Sequence, residues 1–333
     1  MKTLVTGGGG FLGRYIVEGL LAQGHEVAVL CRGSHPALRP LGVRLIQADL
    51  GDREAVKAAC QGIERVFHVA SKTGPTGRYA DFHHTNVLGT RNVIDACLAH
   101  GVHKLVYTSS PSVLVGFDDL SGVDERTPLP TRIISAYQHT KMLAEQMVLA
   151  AHNPHGLVTT ALRPHAIWGP RDTQLFALLI ERHRAGQLIR VGSGRNKISV
   201  SYVENAAAAH LQAADSTQVG GKVYFVNEPE PVEMWPWIDG LFASIGLPPV
   251  TRQVSYRAAY VLGAVSEAVS AVMPWLGEPK LTRLLAAVCA KDHYFDIRAA
   301  QRDFGLSSPV PMDEAQRRFA HYFQSVTYAE VGA

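Results

Sequence analysis

The chain has 333 residues, 47% of them hydrophobic and 18% charged. That supports one large core or two coupled ones and excludes an intrinsically disordered protein. The formal net charge of +3 is gathered in no run, which excludes the basic footprint of a nucleic-acid binder.

In chain order, Lys2–Thr6 reads as a strand. Phe11–Gln23 places Leu12, Ile16, Leu20 and Leu21 at roughly helical spacing. Glu26–Cys31, Val43–Ala48 and Arg65–Val69 read as further strands, with a helix at Asp52–Cys60. A long helix is expected over Ala80–His100, then a strand at Lys104–Thr108, a helix at Ala136–Ala151 and a strand at Leu157–Leu162. This βαβ alternation predicts an α/β fold with a doubly wound parallel sheet covered on both faces. After about Pro164, proline and glycine become frequent and helices dominate from Val232. The boundaries expected are a sheet domain over 1–165, with parts of 190–226 returning to it. A smaller, mostly helical substrate lobe is expected over 166–333.

Cys31, Cys60, Cys97 and Cys289 form no CxxC pair and read as free thiols in a reducing compartment. The 15 histidines show no zinc spacing, so no metal is expected. Lys2 leads straight into a strand and a glycine cluster, without a signal peptide, so a cytoplasmic protein is expected. The apolar stretch Ala258–Leu276 is broken by Glu267 and Pro274. It reads as an interfacial patch rather than a membrane span.

Gly7-Gly8-Gly9-Gly10-Phe11-Leu12-Gly13 lies between a strand and a helix. Both Gly8-x-Gly10-x-x-Gly13 and Gly7-x-x-Gly10-x-x-Gly13 fit it. Either lets backbone approach a pyrophosphate held at a helix N-terminus, the Rossmann arrangement for a dinucleotide. The second strand ends in Cys31-Arg32-Gly33-Ser34, without the acidic residue that would bind the adenosine ribose. Arg32 offers a guanidinium to a 2′-phosphate instead. NADP(H) is therefore the preferred cofactor, with NAD(H) possible. Asp49-Leu50 follows the third strand, as an acceptor for adenine or as a helix cap. Val69, Ala70 and Ser71 end the fourth strand and are small enough for a cofactor to lie against them.

Ser109-Ser110 follows the fifth strand, and Tyr137 and Lys141 share one face of the next helix. Carbonyl–alcohol interconversion on a nicotinamide needs a hydride carrier and a proton donor. Tyrosine titrates too high to work well near neutrality, and a lysine ammonium nearby would lower its pKa. A serine hydroxyl would hold the substrate oxygen. Tyr-x-x-x-Lys alone is a chance-prone pattern; the glycine turn and the Ser-Ser strand end give it weight.

With these residues the chain resembles the extended short-chain dehydrogenase/reductase family. TGGGGFLG, DLGD, HVAS, TNVLGTRNVIDAC, VYTSSPSV, AYQHTK and LRPHAIWGP follow that family's order. The resemblance implies Tyr137 as general acid/base, Lys141 as its partner and Ser110 as the substrate-orienting serine, with Ser109 and Ser112 as alternatives. It implies a cofactor set of Gly7, Gly10, Phe11, Leu12, Gly13, Arg32, Asp49, Leu50, Val69, Ala70, Ser71, Asn86, Thr108, Tyr137, Lys141, Pro164, Ala166 and Ile167. Within the family the chain is most similar to the 3β-hydroxysteroid dehydrogenase branch, and especially to bacterial 2-alkyl-3-oxoalkanoate reductases of olefin biosynthesis. GSGRNKISVSYVENAAAAH and GEPKLTR carry that similarity. It implies NADPH-dependent reduction of a hydrophobic β-keto acid. The alternative is a 3β-hydroxysteroid or sterol-4-carboxylate 3-dehydrogenase using NAD(P). Trp235, Trp237, Tyr256, Tyr260 and Trp275 favour a lipid- or steroid-like ligand over a nucleotide sugar. A homodimer is implied, with contact to a membrane or a pathway enzyme through 258–290.

Overall fold

The computed structural model describes residues 1–74, 76–273, 275, 279 and 281–325. The end of the 258–276 segment and most of GEPK at 277–280 lie outside the described residues.

Seven parallel strands form the main sheet: β1 (Lys2–Thr6), β2 (Glu26–Cys31), β3 (Arg44–Gln47), β4 (Arg65–His68), β5 (Lys104–Thr108), β6 (Val158–Pro164) and β7 (Lys222–Val226). Their order is β7-β6-β5-β4-β1-β2-β3. The order reverses between β1 and β4, so a ligand crevice is expected at the carboxyl ends there. This is the doubly wound sheet expected from the βαβ pattern.

The helices are α1 (Phe11–Ala22), α2 (Arg53–Ala59), α3 (Gly89–His100), α4 (Ala136–Ala150), α5 (Phe176–Arg184) and α6 (Val203–Asp215). The lobe continues with α7 (Met234–Ser244), α8 (Tyr256–Val272), α9 (Arg283–Val288), α10 (Arg298–Phe304) and α11 (Met312–Ser325).

Strand neighbours alternate between two cores, as a period of two requires. Val5, Val29, Phe67 and Val106 pack with Ile16, Val17 and Leu20 of α1 and the small face of α6. Leu4, Ala28, Val66 and Leu105 face the other way, onto Val56, Val93, Cys97, Ala144 and Val148 of α2, α3 and α4. Capping starts the helices near the site. Asp52 accepts from the Ala55 amide at 3.0 Å, and Ser135 from the Gln138 amide at 3.1 Å.

The helix expected over Ala80–His100 is not uniform. A short turn at Tyr79–Phe82 runs into a π-helical turn at His83–Leu88 before α3 begins. The wider turn carries Asn86 inward, where it is buried, and Thr90 Oγ1 donates to its carbonyl at 2.6 Å.

Small sheets knit the lobe to the main body. One runs Val232–Glu233, Lys197–Ile198, His293–Phe295, Leu120–Val123; another pairs Ile167–Trp168 with Ser201–Tyr202. The lobe has its own aromatic core, with Trp168 and Trp237 rings 5.3 Å apart and Phe176 and Phe319 rings 5.1 Å apart. Trp235 and Trp237 are buried in that core. Trp275 is 75% exposed. No helix among the described residues is long and apolar enough to cross a membrane.

Candidate active site

The glycine turn resolves its own spacing. Gly7 has φ +72°, and a Cβ there would lie 2.7 Å from Ala70 Cα. A Cβ on Gly13 would lie 2.2 Å from the Gly7 carbonyl oxygen. Gly7-x-x-Gly10-x-x-Gly13 is thus the version that the backbone demands. Gly8 serves packing, since its Cβ would meet Val29 at 2.8 Å. The first helical bond of α1 runs from Arg14 N–H to Gly10 O at 3.0 Å. The amides of Phe11, Leu12 and Gly13 precede it and open towards an anion. A cradle with no side chains, at a helix N-terminus, fits a dinucleotide pyrophosphate.

A crevice of about 650 Å³ runs along the strand ends. Arg32, Asp49 and Leu50 line one end. Val69, Ala70 and Ser71 line the middle beside the glycine turn, and Thr108, Ser110, Tyr137, Pro164, Ala166 and Ile167 line the other end. Arg32 is exposed, its guanidinium 3.8 Å from Asp49. Asp49 also accepts from the Gly51 amide at 2.7 Å and lies 2.9 Å from His84 Nε2. Burial opposes its ionisation, but the Gly51 amide, His84 and Arg32 outweigh that and hold the carboxyl below its usual range.

Tyr137 and Lys141 lie one turn apart on α4. Burial raises the Tyr137 phenol above its usual value, and the Ser110 and Ser112 hydroxyls beside it pull the value back. The lysine-lowered phenol expected from the spacing is not the balance here, because desolvation outweighs the polar neighbours. Lys141 donates to the Thr108 carbonyl at 2.7 Å and lies 4.3 Å from the Tyr107 ring centre. Burial lowers its ammonium to about 7, with Glu145 acting in the opposite sense. Lys141 does not itself line the crevice.

The three serines separate by partner. Ser109 donates to Glu145 at 2.6 Å, and Glu145 also receives Arg163 Nε at 2.9 Å, all three residues buried. Ser109 lines the crevice too, but its hydroxyl is committed to Glu145. Ser110 caps the turn at Pro111–Val113 through the Ser112 amide, 3.2 Å away, and stands next to the phenol.

Asn86 does not line the crevice. Its Oδ1 accepts from the Lys72 amide at 2.7 Å, and its Nδ2 donates to Lys72 O at 3.0 Å and Thr140 Oγ1 at 3.1 Å. It ties the loop after β4 to α4. His68, at the end of β4, bridges Thr6 (2.7 Å) and Thr90 (2.9 Å). Burial holds it neutral, at about 3.

Ala166 has φ +42°, left-handed for a residue with a Cβ. The Ser201 hydroxyl, accepting from the His165 amide at 3.1 Å, braces the turn on its preceding residue. The crevice also gathers residues that the motifs did not mark: His35, Thr73, Asp172, Gln174 and Leu175. Asp172 accepts from the Gln174, Leu175 and Phe176 amides at 2.8–2.9 Å. An acidic residue just ahead of an apolar helical run was its readable signal. His35 had none; its ring simply fills the space that a Cβ on Gly9 would take, 2.4 Å away.

Comparison with known proteins agrees with this geometry. Residues 4–254 match the 3-beta hydroxysteroid dehydrogenase/isomerase family. The chain belongs to that family. It is 43% identical to a 2-alkyl-3-oxoalkanoate reductase of Stenotrophomonas maltophilia, over 96% of this chain and 98% of the relative. The same enzyme of Shewanella oneidensis is 42% identical, over 94% and 84%. The human sterol-4-alpha-carboxylate 3-dehydrogenase, decarboxylating, is 34% identical, over 97% and 88%. Among solved structures, gox2253 superposes with a TM-score of 0.80 at 26% identity, covering 97% of both chains. A Bacillus cereus UDP-glucuronic acid 4-epimerase in complex with NAD shares the fold, with a TM-score of 0.76 at 20% identity over 97% and 99%. As a member of the 3-beta hydroxysteroid dehydrogenase/isomerase family, the chain is an NAD(P)-dependent oxidoreductase acting between alcohol and ketone.

Proposed function

We propose that the protein is an NADPH-dependent reductase of hydrophobic β-keto acids of the 2-alkyl-3-oxoalkanoate type, giving the β-hydroxy acid. The observation that carries this is a half-buried phenol with a raised pKa beside Ser110, in a crevice whose far end presents Arg32. The relatives at 42–43% identity support the substrate class.

The cofactor, when bound, supplies the hydride to the carbonyl carbon. Ser110 donates a hydrogen bond to the carbonyl oxygen and fixes its direction. Tyr137 gives its proton to that oxygen as charge builds there. A raised pKa keeps the phenol protonated at neutral pH, the form that reduction consumes. Ser110 and Ser112 then stabilise the phenolate until solvent restores its proton. Lys141 holds the turn of α4 against the end of β5 and places positive charge under the site. The glycine cradle and the α1 amides would hold the pyrophosphate, and Arg32, with His35 nearby, the 2′-phosphate. Pro164, Ala166 and Ile167 would flank the nicotinamide. This assigns the sheet elements, including β7, to the cofactor and the lobe from 166 onward to the substrate.

The second reading, a sterol-4-carboxylate 3-dehydrogenase, is favoured by relatives at 33–35% identity. A long-chain 2-alkyl-3-oxo acid and a 3-oxosteroid, each with NADPH and NADH, decide between the two. Faster turnover of the steroid would replace the first reading with the second. Tyr137→Phe is expected to lower kcat by roughly 10²- to 10⁴-fold; turnover at the parent rate would remove Tyr137 as the acid.

We also propose a cytoplasmic homodimer joined through α3 and α4, where Leu98 is exposed, and a lipid-facing role for the outer side of α8.

A further inference from the structure

Several buried or half-buried cations in this protein meet an anion or a carbonyl: Arg163 meets Glu145, Arg190 meets Asp239 and Lys104 meets the Ser216 carbonyl. Lys72 does not. Its side chain is part-buried, yet its ammonium makes no hydrogen bond or ion pair with any described residue. It rests 5.3 Å from the ring centre of Phe82. Phe82 is buried, and its ring lies 6.3 Å from the Tyr137 ring. Asp81 is close enough to feel the Lys72 charge, but Arg78 already holds both of its oxygens, at 2.8 and 3.3 Å.

The position of Lys72 is fixed. Asn86 binds both its backbone N–H and its carbonyl, and binds Thr140 between Tyr137 and Lys141. Its neighbours Ser71 and Thr73 line the same crevice as Ser110 and Tyr137, while Lys72 itself stands behind that lining. Three other bases near Tyr137 are spent or uncharged. Lys141 is bound to Thr108, and burial holds His68 and His165 neutral. A half-buried ammonium with no direct ion pair, on a backbone held in place and one aromatic ring away from Tyr137, is a ready anion site.

The names of the relatives specify an anion. In a 2-alkyl-3-oxoalkanoate and in a sterol 4-carboxylate oxidised at carbon 3, a single carbon separates the reacting carbon from the carboxylate. We propose that Lys72 binds the substrate carboxylate and thereby selects 3-oxo acids over neutral ketones. This rests on the β-keto acid reading above and adds the group that recognises the acid. With the ketone oxygen on Tyr137 and Ser110 and the carboxylate on Lys72, two anchors present one face of the carbonyl to the hydride.

The test compares a 2-alkyl-3-oxo acid with its methyl ester, using NADPH and the parent, Lys72→Met and Lys72→Arg proteins. In Lys72→Met, kcat/KM for the acid is expected to fall roughly 10- to 100-fold, mostly through KM, while the ester changes by less than about threefold. Lys72→Arg should recover most of the acid activity. NADPH affinity, read by fluorescence titration, should stay at the parent value. Equal losses on acid and ester, or no loss on either, overturn the assignment while leaving the ketoreductase reading intact. Loss of NADPH affinity moves Lys72 to the cofactor and overturns it too. A parent protein inactive on both compounds overturns the β-keto acid reading itself, and this inference with it.

Discussion

At the scale of residues, the site works by burial set against a few polar neighbours. Lys141 shows the balance most clearly. Its ammonium, lowered to about 7, costs the fold stability whenever it is charged. Between about pH 7 and its unfolded value near 10.4, the unfolded chain binds the extra proton, so this residue makes stability rise with pH. Lys141→Met should therefore raise Tm near neutrality, flatten that rise and abolish most turnover. In the parent, reduction should weaken as pH climbs through about 7 and the ammonium is lost. A Tm unchanged by the substitution would mean that the amine is not desolvated in the folded protein. Arg32 makes the opposite case, because it is exposed and its pairing with Asp49 at 3.8 Å contributes little to stability. Arg32→Ala should leave Tm alone and cut kcat/KM for NADPH roughly 10- to 100-fold, with NADH nearly unaffected. Equal losses with both cofactors would remove the 2′-phosphate assignment.

At the scale of elements, the candidate site is tied together from below. Glu145 of α4 receives Ser109 after β5 and Arg163 of β6, so one buried carboxylate joins three elements. Removing it strands the Arg163 guanidinium in a dry interior. Glu145→Ala should cost about 3–5 kcal/mol, read as a lower urea midpoint with unchanged slope; a loss below about 1 kcal/mol would show that water already reaches Arg163. Nothing in the sequence announces this network, because its partners are 18 and 36 residues from Glu145 and only the parallel sheet brings them together. Other parts were legible. The strands from Lys2 to Leu162 carry short apolar stretches, and the glycine turn lies between a strand and a helix, so pattern and chemistry agree there. The π-helical turn at His83–Leu88 was not legible, since its cause is tertiary: Asn86 turned inward to hold the Lys72 backbone. Lobe aromatics such as Trp237 left core and ligand equally open, because an apolar side chain looks the same in sequence whichever it meets.

At the scale of the whole molecule, the unusual surface is α8. Its inner side is committed, with Ala259 fully buried and Glu267 accepting from the Arg283 amide and side chain at 2.7 Å. The outer side leaves Val261, Leu262, Val265, Val269 and Val272 exposed, with Trp275 just beyond. A stripe of this kind suits the boundary of a bilayer better than water. Replacing Val265 and Val269 with lysine should reduce partition of the protein onto phosphatidylcholine vesicles without altering turnover of a short, soluble β-keto substrate. Equal partition of parent and variant would end the lipid-surface proposal. How this stripe sits on the body depends on Gly263, where an added Cβ would stand 2.7 Å from the backbone of Thr282 and Arg283. Main chain cannot give way as a side chain can, so even a methyl group there must prise α8 off α9. The angle at which the protein offers its greasiest face is thus set from the inside by one missing carbon, and Gly263→Ala would tilt that face without changing a single atom on it.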